Sequence, residues 1–176
     1  MLFRSDAIRA NLPIGIVNAA FTVGALWIVA KLGRKTLLIG GYAGMALSLL
    51  LLGMAFQSRE SGAGASSGTI VKLILCYVAF FAISPGPLTW VLMSEIFPNR
   101  IRGRAMSIAT VCLWAACFLV TLTFLPIVNR FGPARTFWGY AAMCMIAVLF
   151  VAIVPPETRG KSLEQIERMW KARGER

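Results

Sequence analysis

Long runs of apolar residues alternate with short polar and basic stretches along most of the chain. A helix that crosses the hydrocarbon core of a bilayer needs roughly 20 apolar residues, and several runs reach that length. Because lipid offers the backbone no hydrogen-bonding partners, such runs are expected to be helical. The pattern predicts five spans, at about residues 11–30, 36–56, 69–96, 104–128 and 134–154. The fold class predicted is therefore all-α, a polytopic membrane protein with five transmembrane helices.

The third predicted span contains a helix-breaking sequence, Pro85, Gly86 and Pro87. Proline has no backbone N–H to donate, and glycine lets the chain bend, so this span should kink. In transporters a broken helix lines a cavity, whereas a packing kink is the alternative. Trp90 follows one turn later and could offer a flat apolar face to a sugar, although tryptophan also occupies lipid interfaces and protein cores.

The composition agrees with a membrane protein. Of the 176 residues, 58% are hydrophobic and only 14% are charged, and the mean hydropathy is +0.74. Soluble domains carry nearer a quarter charged residues. The net charge of +11 could suggest nucleic acid, but the basic residues lie between the apolar runs rather than along one face. We therefore expect a lipid bilayer, not nucleic acid, as the partner.

The positions of the basic residues predict an orientation. Twelve of the 18 Lys and Arg residues fall in the loop after span one, the loop after span three and the tail. Basic residues collect on the cytoplasmic side, so we expect a cell-membrane location with the C-terminus cytoplasmic and the N-terminus of this chain outside. Residues 155–176 are charged and amphipathic and contain a capping box at Ser162 and Gln165. This pattern predicts a cytoplasmic tail helix separate from the transmembrane domain of residues 1–154.

The sequence offers little for catalysis or metal binding. It has no histidine, and its four cysteines lie in apolar runs without a Cys-x-x-Cys pair. Metal sites and nucleophilic triads draw on such residues, so we expect neither an enzyme nor a cofactor.

Three polar residues in or near the spans are candidates for function. Asn18 lies deep in the first span with Thr22 one turn later, and an amide suits either vicinal hydroxyls or hydrogen bonds between helices. Glu95 is costly near the membrane and should pair with Arg102, Arg104 or another arginine on the cytoplasmic side, the alternative being a solvated carboxylate at the headgroups.

Taken together, these features resemble the sugar porter branch of the major facilitator superfamily, specifically its C-terminal portion. The segments that carry the resemblance are 85–90 (PGPLTW), 94–98 (SEIFP), 101–104 (IRGR) and 156–163 (PETRGKSL). Their order and spacing match that family along nearly the whole chain. The resemblance implies that the five spans correspond to helices eight to twelve of a twelve-helix transporter.

The resemblance also implies roles for individual residues. It implies that Asn18, Trp90 and Trp114 contact the sugar. Thr22, one turn after Asn18, and Gly86, at the helix break, complete the set of candidate sugar-binding residues. A cytoplasmic charge network that relatives use to hold the outward-open state would comprise Arg34, Glu95, Arg102 and Glu157.

Two departures from the family pattern affect these roles. Ala30 stands where the loop motif has an acidic residue, so the charge network should be weaker. Leu113 stands where relatives place an amide before the aromatic residue of helix eleven, which removes one partner for a sugar hydroxyl. The seventh helix and the N-terminal half are expected to lie outside this sequence.

Two classes of function follow. The first is a fragment of a secondary transporter that moves a monosaccharide, with or without a proton, by alternating access, and that is inactive without the N-terminal half and helix seven. The second is a non-transporting truncated membrane protein or an interaction module that associates with another half-transporter.

Overall fold

A computed structural model describes residues 12–25, 33–60, 62, 66–97 and 101–154 of the chain, without the side chains of residues 60, 95 and 96. The described part is all helical apart from turns, as predicted. Its helices are α1 (Leu12–Ala25), α2 (Arg34–Glu60), α3 (Ser67–Ile83), α4 (Pro85–Ile96), α5 (Arg102–Phe131) and α6 (Pro133–Ile153).

Four described segments are long and apolar enough to cross a membrane, and α3 and α4 together form one of them. The predicted boundaries of the last four spans are confirmed to within a few residues. Only 14 residues of the predicted first span are described, since residues 26–32 lie outside the described part. The predicted tail helix, residues 155–176, also lies outside it.

Helix α2 is the centre of the bundle and packs mainly against α6 and α3. One apolar cluster joins its beginning to α4 and to the end of α6, through Leu37, Leu38, Leu88 and Val151. A second joins its other end to α3, through Leu52, Ala55 and Ile70, with Phe137 of α6 packed against it. In contrast α5, which is described in full, has no buried residue.

Small residues let the helices approach α2 closely, but they are not the pair that the sequence suggests. Gly40 and Gly44 form a G-x-x-x-G step for which we expect close packing. The structure contradicts half of this prediction, because a Cβ on Gly40 would meet nothing within 4 Å. The contacts are made instead by Gly41 against Ser84 and by Gly44 against the Phe80 ring.

The turn between α5 and α6 depends on Gly132. Its φ of 82° and ψ of 161° lie outside the regions that residues with a Cβ ordinarily adopt. In that conformation its N–H donates to the Val128 carbonyl at 2.9 Å and its own carbonyl accepts from Thr136 Oγ1 at 2.7 Å. Gly132 is thus hydrogen-bonded both to the last turn of α5 and to the first turn of α6.

Trp138 attaches α6 to α2. Its indole lies where a Cβ on Gly53 would be, and its Nε1 donates to the Leu50 carbonyl at 3.3 Å. We expect Trp138→Phe to keep most of the packing but to lose this hydrogen bond, lowering the free energy of unfolding by about 0.5 to 1 kcal/mol. The measurement is unfolding in mixed micelles of increasing SDS fraction. Trp114→Phe, on exposed α5, is the matched control and should leave the midpoint unchanged; an equal shift in both variants would contradict the prediction.

Candidate functional site

The helix break lies at Ser84, immediately before the prolines. In an uninterrupted helix the N–H groups of residues 85 and 87 would donate to the carbonyls of Phe81 and Ile83, but proline has no N–H. A residue before proline is also disfavoured in the helical region. Ser84 accordingly has φ −127° and ψ −86°, ends α3 with its N–H donating to Phe81 O at 3.3 Å, and precedes α4. The predicted kink in the third span is confirmed as a break between two helices.

The break is fixed onto the beginning of α2. The Ser84 hydroxyl, which is fully buried, donates to the Leu37 carbonyl at 2.7 Å. Close approach is possible because Gly41 has no side chain, and a Cβ there would overlap Ser84 and lie 3.1 Å from Cδ of Pro85. Leu88, one turn into α4, is also fully buried. Residues 84–88 therefore form an anchored joint. Sequence reasoning missed Ser84 and Gly41, whose signals were a polar residue before Pro85 and a Gly-Gly pair.

Gly86 and Trp90 lie on the same face of α4, one turn apart. Gly86 contacts the last turn of α3, and a Cβ there would lie 3.1 Å from the Phe81 carbonyl oxygen and 3.3 Å from its ring. Trp90 is 42% exposed, so much of its indole is open to a ligand or to a neighbouring helix. This face combines close backbone approach with an available aromatic surface.

Asn18 and Thr22 lie together on α1. The Thr22 hydroxyl donates to the Asn18 carbonyl at 2.8 Å and is 3.3 Å from its Oδ1. The Asn18 side chain is exposed and Thr22 is half-buried. The hydroxyl thus has a local partner while the Asn18 amide group faces outward from the helix, where it can bond a hydroxyl or another helix.

Trp114 lies on α5 and is 63% exposed. The structure therefore brings together two pairs of the predicted sugar-binding residues, Asn18 with Thr22 and Gly86 with Trp90, and places Trp114 on a helix that packs against α4 and α6. The convergence of all five residues in one cavity stays a prediction.

The predicted charge network is described only in part. Glu157 lies outside the described residues, as does the side chain of Glu95. Arg34 is half-buried at the first residue of α2, and Arg102 Nε donates to the Phe97 carbonyl at 3.3 Å, across the turn from α4 to α5. Lys35, which the sequence reasoning did not select, donates from Nζ to the Ala152 carbonyl at 2.7 Å. A lysine at carbonyls near the end of a helix is electrostatically favourable, so it holds α6 to α2.

Comparison with known proteins gives consistent results. The profile of the family described as "Sugar (and other) transporter" matches residues 2–170. The chain is 42% identical to the D-xylose-proton symporter of Escherichia coli (strain K12), covering 93% of this chain and 34% of that protein. It is 41% identical to the arabinose-proton symporter of Bacillus subtilis (strain 168), covering 89% and 33%. The chain thus spans about a third of the length of these relatives.

Solved structures agree with the sequence matches. The proton:xylose symporter XylE bound to 6-bromo-6-deoxy-D-glucose has a TM-score of 0.84 at 39% identity, covering 95% of this chain and 35% of that one. The inward-open xylose transporter XylE from E. coli also has a TM-score of 0.84, at 40% identity, covering 94% and 36%. These likenesses confirm the predicted fold class, an all-α membrane bundle of the major facilitator superfamily.

Proposed function

The chain belongs to the sugar transporter family, and from that premise we propose that it forms one side of the sugar cavity of a secondary transporter that works by alternating access. Its relatives are transporters rather than enzymes. The transmembrane part, residues 1–154, would supply helices of the C-terminal half, and residues 155–176 would form a tail helix at the cytoplasmic face. The C-terminus would then be cytoplasmic and the N-terminus of this chain outside.

The broken helix of α3 and α4 carries this proposal. At membrane depth a break exposes backbone groups, which is tolerated only where it is buried in protein or faces a water-filled cavity. Here one side of the break is packed onto α2 through Ser84, while Trp90 remains 42% exposed. The break is thus held against α2, while the exposed indole of Trp90 offers an aromatic face. Such a face is suited to stacking against the C–H face of a sugar ring.

A monosaccharide is the substrate class that we propose. Two of the relatives are proton symporters for the pentoses xylose and arabinose by name. Trp90 and Trp114 would contact the apolar face of the ring, with Asn18 and Thr22 hydrogen-bonding its hydroxyls. The sequence has no Asp or Glu between residues 96 and 154, between 61 and 94, or between 7 and 59. If transport is coupled to protons, the coupling carboxylate would lie outside these three stretches of sequence.

Further helices are required to complete the cavity. Helix α5 has no buried residue, and its exposed large side chains include Trp114, Phe118 and Leu122. A helix with apolar residues all round is normally covered by lipid or by other helices. We propose that the N-terminal half and helix seven of a complete transporter cover one side of α5, and that the chain alone does not transport.

Reconstitution into liposomes tests this proposal. We expect the 176-residue chain alone to give no saturable uptake of labelled xylose above empty liposomes. Co-reconstitution with the part of the E. coli D-xylose-proton symporter that precedes the matching segment should give saturable uptake.

Robust saturable uptake by the chain alone would contradict the requirement for further helices. Stable association with the symporter part without any uptake would favour the second candidate, a non-transporting interaction module. The matching segment of the symporter itself, supplied in place of this chain, is the control that shows the split protein can transport.

A further inference from the structure

Two neighbouring cavities lie along α6. The larger, of about 540 Å³, lies among α2, α3, α5 and α6. The smaller, of about 300 Å³, lies between α5 and the beginning of α6. Tyr140 and Met143 line both cavities, so the two adjoin at these side chains. Neither cavity is lined by any of the predicted sugar-binding residues.

The side chains that line the two cavities differ in chemistry. The larger cavity is lined almost entirely by aliphatic and aromatic side chains, with Tyr42 and Tyr77 on its α2 and α3 sides. The smaller cavity is also apolar, but Arg135 and Thr136 stand at its end. A sugar would leave its hydroxyls unsatisfied against such walls, and an apolar cavity does not hold water well. A ligand with a long apolar part and one anionic end fits the walls.

The dimensions and the location point to the bilayer as the source of that ligand. Arg135 is the third residue of α6, a span of 21 residues, and therefore lies near one membrane boundary. Ala147 also lines the larger cavity and lies twelve positions after Arg135 on α6, a rise of about 18 Å. That path runs from the headgroups to just past the middle of a hydrocarbon core of about 30 Å.

Charge complementarity selects the headgroup. Two arginines, Arg130 and Arg135, flank the turn between α5 and α6, and neither helix contains an Asp or Glu. Arg130 Cζ lies 5.6 Å from the centroid of the Phe131 ring, whereas Arg135 lines the smaller cavity. Guanidinium groups bind phosphate through two parallel hydrogen bonds. We propose that this groove binds one phospholipid, with its phosphate at Arg135 and an acyl chain in the two cavities.

Lipid binding by the purified full chain tests the proposal independently of sugar transport. Native mass spectrometry would compare dioleoylphosphatidylglycerol with dioleoylglycerol, which has the same chains but no phosphate. We expect one phosphatidylglycerol to bind, with about fivefold preference over dioleoylglycerol, as one basic residue near a lipid surface contributes roughly 1 kcal/mol. Arg135→Gln should abolish the preference, and Arg130→Gln, the matched control, should retain it.

The apolar part of the site has a separate test. A Cβ on Gly139 would meet nothing within 4 Å, and Gly139 lines the smaller cavity, so Gly139→Leu should fill the groove without disturbing the fold. We expect this variant to lose the bound lipid while keeping its helical circular dichroism signal.

Unchanged lipid binding by Gly139→Leu would show that the acyl chain does not lie in this groove. An unchanged preference of Arg135→Gln for phosphatidylglycerol over dioleoylglycerol would show that Arg135 does not bind the phosphate. Equal binding of both lipids by the wild type would show a site for acyl chains alone and would also overturn the proposal. A lipid-free dimer would show that a second copy covers this face instead.

Discussion

Gly41→Ala is expected to lower the free energy of unfolding of the chain by about 3 kcal/mol, whereas Gly40→Ala should leave it unchanged or raise it by up to about 1 kcal/mol. Both substitutions add one methyl group to neighbouring positions of α2. Alanine is the better helix former, so without other contacts each would be neutral or favourable. The opposite signs follow from what each new methyl group would meet.

At Gly40 the new Cβ enters open space. At Gly41 it would overlap the Ser84 side chain and approach Cδ of Pro85 to 3.1 Å. Neither obstacle is the free end of a flexible side chain, since the Ser84 Cβ and the Pro85 ring are fixed to the backbone of the break. The methyl group must therefore push α4 away from α2, which costs packing energy and the buried hydrogen bond from Ser84 to Leu37 O.

Unfolding in mixed micelles of increasing SDS fraction measures both variants. Ser84→Ala, which removes the hydroxyl without adding volume, should cost about 1 kcal/mol and so separates the hydrogen bond from the steric overlap. Equal midpoints for Gly40→Ala and Gly41→Ala would show that the break is not seated on Gly41. That result would remove the anchored joint on which the shape of the candidate site depends.

The same glycines show which parts of the fold the sequence could predict. The break at the prolines is set by local chemistry, a missing N–H and a restricted preceding residue, and the sequence located it to within one residue. The glycine that contacts the break depends on the rotation of α2 about its axis, which apolar periodicity does not fix in a helix with apolar residues on nearly every face. The G-x-x-x-G spacing therefore selected Gly40, which is exposed, rather than its buried neighbour.

In the candidate site too, local sequence predicts some features, while others depend on how the helices pack. The residues chosen by motif, Gly86 and Trp90, lie together because they are one helical turn apart on α4. Lys35 was overlooked because its partner, the Ala152 carbonyl, is 117 residues away and is a backbone atom that no motif marks. The two cavities could not be predicted from the sequence either, because their shape depends on how four separate helices pack together.

In a transporter completed with the part of the E. coli D-xylose-proton symporter that precedes the matching segment, Trp90→Ala and Asn18→Ala are each expected to weaken xylose binding by about 1 to 3 kcal/mol, roughly 5- to 150-fold in Kd. Loss of Trp90 removes a stacking surface that is 42% exposed in this chain. Loss of Asn18 leaves buried sugar hydroxyls without a partner, which costs more than the missing bond itself.

Equilibrium binding of xylose to the purified fused protein measures these effects, with Trp90→Phe and Asn129→Ala as matched controls. Phenylalanine retains an aromatic face, so Trp90→Phe should bind more tightly than Trp90→Ala. Asn129 is an exposed amide near the far end of α5 and should be replaceable without loss. Affinity unchanged in both alanine variants would refute the sugar-binding role of α1 and α4, while a loss at Trp90 alone would confine the site to the face beside the break. The two helices are therefore judged separately.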